Sequence, residues 1–117
     1  MEYFYAFLDE NNVVTEVITG NDENVLIEGL PPEIWYGNFR GQVCKITYYD
    51  SSLRGTYAGI GYEYNAAEDI FIPPKPFPSW ARSGSFWNAP IPMPIEDGKF
   101  YQWVEADLNW QEILFND

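Results

Sequence analysis

Apolar positions open the chain as a solid block. Residues 3–8 (Tyr-Phe-Tyr-Ala-Phe-Leu) are aromatic or aliphatic throughout, and residues 13–19 (Val-Val-Thr-Glu-Val-Ile-Thr) are rich in β-branched side chains. Between them sits the turn-type cluster Asp9-Glu10-Asn11-Asn12. The pattern predicts a β-hairpin. Because residues 3–8 are apolar on both faces, that strand is expected in the middle of a sheet or covered on both sides. Residues 42–49 (Gln-Val-Cys-Lys-Ile-Thr-Tyr-Tyr) predict a further strand, with Cys44, Ile46 and Tyr48 on one face and Val43, Lys45, Thr47 and Tyr49 on the other. Residues 20–24 read as loop, with at most a short helical turn around 23–28. Pro31-Pro32 breaks the chain, and residues 33–41, with Ile34, Trp35, Tyr36 and Phe39 interrupted by Gly37 and followed by Gly41, read as an irregular segment pinned by its aromatics. Residues 56–64 and 69–72 are expected to pair across Asn65-Ala66-Ala67-Glu68.

The texture then changes. Prolines at 73, 74, 76, 78, 90, 92 and 94 rule out a regular helix through those stretches and favour extended connectors. A spacing recurs within this half. Tyr64 and Phe71 are separated by six residues, as are Trp80 and Trp87, and again Trp103 and Trp110. The first pair is followed by Ile72-Pro73-Pro74-Lys75-Pro76-Phe77-Pro78 and the second by Ala89-Pro90-Ile91-Pro92-Met93-Pro94. The physical reading is a tight hairpin with an aromatic on each strand and a proline strap leading onward. Facing aromatics stabilise such a pair by about 0.2–1 kcal/mol. A lone hairpin is marginal in water, so each unit must pack on another or on the first half. The expected architecture is mainly β and a single domain over 1–117. Residues 1–60 would form a small barrel-like antiparallel sheet, and residues 61–117 three aromatic hairpins linked by proline-rich straps.

Composition narrows the function. At 117 residues, 19% of them aromatic, the chain can build one modest core without disulfides or metal. Acidic side chains number 18 against 6 basic ones, and the basic residues Arg40, Lys45, Arg54, Lys75, Arg82 and Lys99 are scattered singly. Such a chain repels phosphate backbones and anionic headgroups, so nucleic-acid and membrane partners are not expected. The opening Met1-Glu2-Tyr3 lacks a basic n-region and the first apolar run is short, so neither a secretory signal nor a membrane span is expected.

No catalytic motif emerges. With no histidine, Ser–His and Cys–His nucleophile systems cannot form within one chain. Cys44 shares a face with Ile46 and Tyr48, which reads as a buried, inert thiol. The acidic pairs Asp9/Glu10, Asp22/Glu23, Glu68/Asp69 and Glu96/Asp97 fall in predicted turns and read as solvated. Zinc is not expected from one cysteine and no histidine. Asp9-Glu10-Asn11-Asn12 and Asn21-Asp22-Glu23-Asn24 offer oxygen ligands, but neither follows the alternation of an EF-hand loop, and no cofactor is expected. The aromatics Tyr64, Phe71, Trp80, Trp87, Trp103 and Trp110 are the interaction candidates; the four tryptophans among them read first as core of the C-terminal half, then as anchors against a neighbouring subunit, then as stacking platforms for a glycan.

The segments Ala6-Phe7-Leu8-Asp9-Glu10-Asn11-Asn12-Val13-Val14, Trp35-Tyr36-Gly37-Asn38-Phe39-Arg40-Gly41-Gln42-Val43-Cys44-Lys45 and Tyr57-Ala58-Gly59-Ile60-Gly61-Tyr62-Glu63-Tyr64 resemble a family of small proteins of marine tailed bacteriophages, including those of cyanobacteria. So do Phe71-Ile72-Pro73-Pro74-Lys75-Pro76-Phe77-Pro78-Ser79-Trp80 and Asp97-Gly98-Lys99-Phe100-Tyr101-Gln102-Trp103. The loop between Lys45 and Tyr57 is shorter than that family's, and Ala81-Arg82-Ser83-Gly84-Ser85 lacks its acidic hairpin turn. The resemblance implies a non-catalytic structural or assembly protein, located in the virion or in the host cytoplasm during assembly. It would contact itself, as an oligomer, or other virion proteins. The alternatives are a carbohydrate-binding module aiding adsorption, which needs two coplanar exposed tryptophans, and an assembly chaperone missing from the mature particle.

Overall fold

A computed structural model describes residues 2–115, and within it the chain divides into two compact units. The first comprises residues 1–74 with 84–86, the second residues 75–83 with 87–117. The first aromatic hairpin is counted with the N-terminal sheet, to which it is hydrogen-bonded.

In the first unit, β1 (Tyr3–Leu8) pairs antiparallel with β2 (Val14–Gly20), from Tyr3 opposite Gly20 to Leu8 opposite Val14, with a bulge between Phe7 and Leu8. The Asp9 carboxylate makes the connecting turn by accepting the N–H groups of Asn11 (2.8 Å) and Val13 (3.0 Å). Asn12 sits at φ 63°, a conformation asparagine tolerates better than most residues. On its other side β1 pairs antiparallel with β3 (Val43–Thr47), giving the order β2-β1-β3. The central place of β1 accounts for its block of apolar residues. Ala6 and Leu8 face one cluster with Val14, Ala58, Tyr64 and Phe71, while Tyr5 and Phe7 face another with Cys44 and Ile46. The sheet is open: among the described residues it has three strands and does not close into the barrel-like form expected.

Residues 33–41 are not irregular. They lie in a helix, α1 (Pro32–Arg40), capped at its C-terminus by Gly41 at φ 73°. Pro32 lies in the first turn, where its missing N–H costs nothing, and Gly41 adopts the left-handed cap. What reads as punctuation is the start and the stop of a helix. Gly37 lets α1 approach β3 closely, since a Cβ there would sit 2.7 Å from the Gln42 carbonyl oxygen. Tyr36 packs its ring 5.0 Å from that of Tyr5.

The free edge of β3 is covered by side chains. Glu33 accepts the Ile46 N–H (2.9 Å), and Arg54 donates to the Ile46 carbonyl (3.2 Å) and to Glu33 (3.0 Å). This ion pair takes the place of another strand and blunts an exposed edge. The first aromatic hairpin, β4 (Glu63–Asn65) with β5 (Ile70–Ile72), joins the unit through Val14 N–H to Tyr62 O and Tyr64 N–H to Asn12 O, both 2.8 Å.

The second aromatic hairpin pairs β6 (Ala81–Ser83) with β7 (Phe86–Asn88). The third hairpin, β8 (Tyr101–Val104) with β9 (Asn109–Glu112), is joined by a 3-10 turn at Glu105–Asp107. Trp103 stands directly opposite Trp110, and in the first unit Tyr64 stands opposite Phe71, so two of the three spaced pairs face across a ladder. Among the described residues no helix is long and apolar enough to cross a membrane.

Candidate functional site

The six aromatics singled out by spacing have different fates. Tyr64, Phe71 and Trp103 are buried, at 5%, 0% and 7% exposure, and are core. Trp80, Trp87 and Trp110 are half-buried. Trp80, Trp103 and Trp110 meet as a cluster with ring centroids 5.3–6.0 Å apart and interplanar angles of 82°, 58° and 73°. No two rings of this cluster share a plane. The Trp103 and Trp110 indoles are further held by hydrogen bonds, Trp103 Nε1 to Glu105 (2.9 Å) and Trp110 Nε1 to the Ile91 carbonyl (2.7 Å). Glu105 also accepts from the Ser79 hydroxyl (2.7 Å) and N–H (3.1 Å), and these donors hold its carboxyl below the usual glutamate range. Trp87 lies under the Lys75 ammonium, 5.8 Å from its ring centroid.

Beside this cluster runs a stretch that the chain leaves uncovered. Pro90 to Phe100 is exposed throughout and carries Ile91, Met93 and Ile95, each following a proline. Phe100 and Phe115, also exposed, meet edge-on at 5.7 Å. Prolines 90, 92 and 94 lack backbone donors, so this strap cannot pair as an ordinary strand and offers apolar side chains instead.

The first unit contains a concavity that the spacing argument missed. A groove of about 660 Å³ is lined by Glu2, Tyr3, Phe4, Glu23, Ile46 and Thr47 and, past the end of β3, by Tyr48, Tyr49, Asp50 and Ser52. Phe4 and Tyr49 form a ring triad with Tyr57, with centroid separations of 5.3–6.0 Å. Tyr48 donates to Glu23 (2.9 Å), and Tyr3 donates to Asp22 (3.1 Å). Burial, and then the bond to Glu23, push the Tyr48 phenol up to about 12, so it stays neutral and acts as a donor. Asp50 accepts the Ser52 N–H (3.0 Å), and hydrogen bonding from Ser52 holds its carboxyl below the ordinary range. A smaller hollow of about 150 Å³ shares Glu23, Ile46 and Tyr48 with the groove and reaches Arg54. The sequence signal was slight: tyrosines at 3, 48 and 49 meet only once β1 and β3 are paired in register.

The thiol and three of the turn carboxylates have structural partners or burial of their own. Cys44 is buried, and burial pushes its thiol up to about 12, far from a reactive thiolate. Asp9 and Asp22 hold backbone N–H groups in turns, and Glu96 pairs with Lys99 (2.9 Å). Among the described residues no group of three His, Cys, Asp or Glu side chains is placed to hold a metal ion. Comparison with family models, curated proteins and solved structures finds no match.

Proposed function

We propose that this protein works by contact and not by catalysis, as a structural or assembly component of a tailed-phage particle. The phage assignment rests on the sequence resemblance. The contact assignment rests on the uncovered strap at residues 90–100, whose Ile91, Met93 and Ile95 are respectively 44%, 50% and 92% exposed. Apolar surface left open by the chain's own fold marks a place where another protein is received. The strap is pre-extended by its prolines, so it loses little conformational freedom on docking.

The partner is another copy or a virion protein. Sedimentation of the purified chain against the triple variant Ile91→Asp, Met93→Asp, Ile95→Asp reads self-association directly. Mass spectrometry of purified particles separates a virion component from an assembly chaperone. A strictly monomeric protein that is absent from particles and retains no partner during infection would end this reading. The glycan alternative calls for coplanar exposed tryptophans, and the interplanar angles of 58–82° within the Trp80–Trp103–Trp110 cluster favour the contact reading over it.

A further inference from the structure

The groove in the first unit has a chemistry of its own. Three carboxylates line it, Glu2, Glu23 and Asp50, and its lining contains no lysine or arginine. None of the three is in an ion pair among the described residues. The guanidinium of Arg54, in the adjoining hollow, is already held by Glu33 at 3.0 Å and Asp69 at 3.2 Å. Between the carboxylates the walls are apolar or aromatic: Phe4, Ile46, Tyr48 and Tyr49, the last 75% exposed.

We infer that this groove receives a lysine or arginine side chain from an extended basic segment of a partner protein. The charge argument is direct. A lining with three carboxylates and no base attracts a cation where a neutral ligand gains nothing. Tyrosine and phenylalanine faces attract the same cation through their quadrupoles. The wall also fits the rest of such a side chain, because its methylene stem lies along apolar surface while its head seeks charge. Size argues for a segment over a free amine. A volume of about 660 Å³ falls in the range that holds a drug-sized molecule, far more than one ammonium group fills. The inference deepens the contact reading and rests on it, but it uses a surface separate in sequence from the strap.

The test is an NMR titration of ¹⁵N-labelled protein with acetyl-Gly-Lys-Gly-Lys-Gly-amide, beside the same peptide with both lysines acetylated, and beside butylammonium. The expected result is amide shifts confined to residues 2–4, 23 and 46–52, with binding weakened about tenfold by acetylation and about tenfold by Asp50→Asn. Raising salt weakens it further, as screening requires. Glu23→Gln, which keeps an acceptor for Tyr48, gives a second reading if Asp50→Asn disturbs the fold. Three outcomes overturn the inference: no shifts at millimolar peptide, equal binding of the acetylated peptide, or butylammonium binding as tightly as the peptide. If the peptide fails while association through the strap persists, the groove inference falls alone. If the strap variant also changes nothing, the contact reading falls with it.

Discussion

The two units solve the same problem, holding short strands together, with different means. The first buries side chains on both faces of β1, and Tyr5, Ala6, Phe7, Leu8, Val14 and Phe71 are each at most 1% exposed. In the second, Trp103 is the one buried hydrophobic side chain among the described residues. There, ring contacts and a single carboxylate, Glu105, gathering Ser79 and Trp103, take over from a closed core. The contrast teaches that the first unit is stabilised by area removed from water, whereas the second is a cross-linked surface whose apolar strap is left exposed.

The largest expected effect breaks the first unit. Phe71→Ala removes a fully buried ring from the cluster of Ala6, Leu8, Val14 and Tyr64, and should cost about 3–5 kcal/mol in chemical denaturation. Trp103→Ala should cost less, about 3 kcal/mol, because its site is less enclosed. Hydrogen exchange sharpens the difference: protection should vanish in β8 and β9 while β1 to β3 keep theirs. If Trp103→Ala also unprotects β1, the two units are energetically one.

A smaller change should stabilise the second unit. Leu108 follows the 3-10 turn at φ 48°, a strained setting for a residue with a large side chain. Leu108→Asn should raise stability by roughly 1 kcal/mol, read as a shift in the tryptophan-monitored denaturation midpoint. An unchanged or lower midpoint would show that Leu108 contributes packing that outweighs its strain.

The mildest effect is a pH dependence. Donation from Trp103 and Ser79 lowers the Glu105 pKa below its ordinary value of 4.5. A carboxyl depressed on folding contributes stability that is complete above its unfolded pKa and fades as pH falls through the lower folded value. Tryptophan emission should therefore hold steady down to about the ordinary glutamate range and change below it. In Glu105→Gln that acid step should be missing. If it persists unchanged, another carboxyl governs the cluster.

Much of this was legible along the chain because alternation and facing pairs are local properties. The unbroken apolar run at 3–8 predicted a central strand, and β1 occupies that place. The six-residue separations predicted facing aromatics, and Tyr64–Phe71 and Trp103–Trp110 stand opposite each other. The helix α1 was not legible, because Pro31-Pro32, Gly37 and Gly41 read as breakers. In three dimensions Pro32 starts the helix, Gly41 caps it, and Gly37 yields room for β3. The signal was there in Glu33 in the first turn and Arg40 in the last, charges that suit the two ends of a helix. The groove was less legible still, since Tyr3, Glu23 and Asp50 lie far apart along the chain.

The sequence by itself therefore determined the strands, their faces, the paired rings and the acidic character. These depend on side chains two residues apart or on a short turn, where chain geometry leaves little choice. Tertiary structure alone decided that Glu33 and Arg54 would close the edge of β3, that Tyr64 and Phe71 would be core, and that three carboxylates would line one aromatic groove. Those juxtapositions draw together segments distant along the chain, Glu33 with Arg54 across 21 residues and Glu23 with Tyr48 across 25, and only the packing of α1, β1 and β3 against one another selects them.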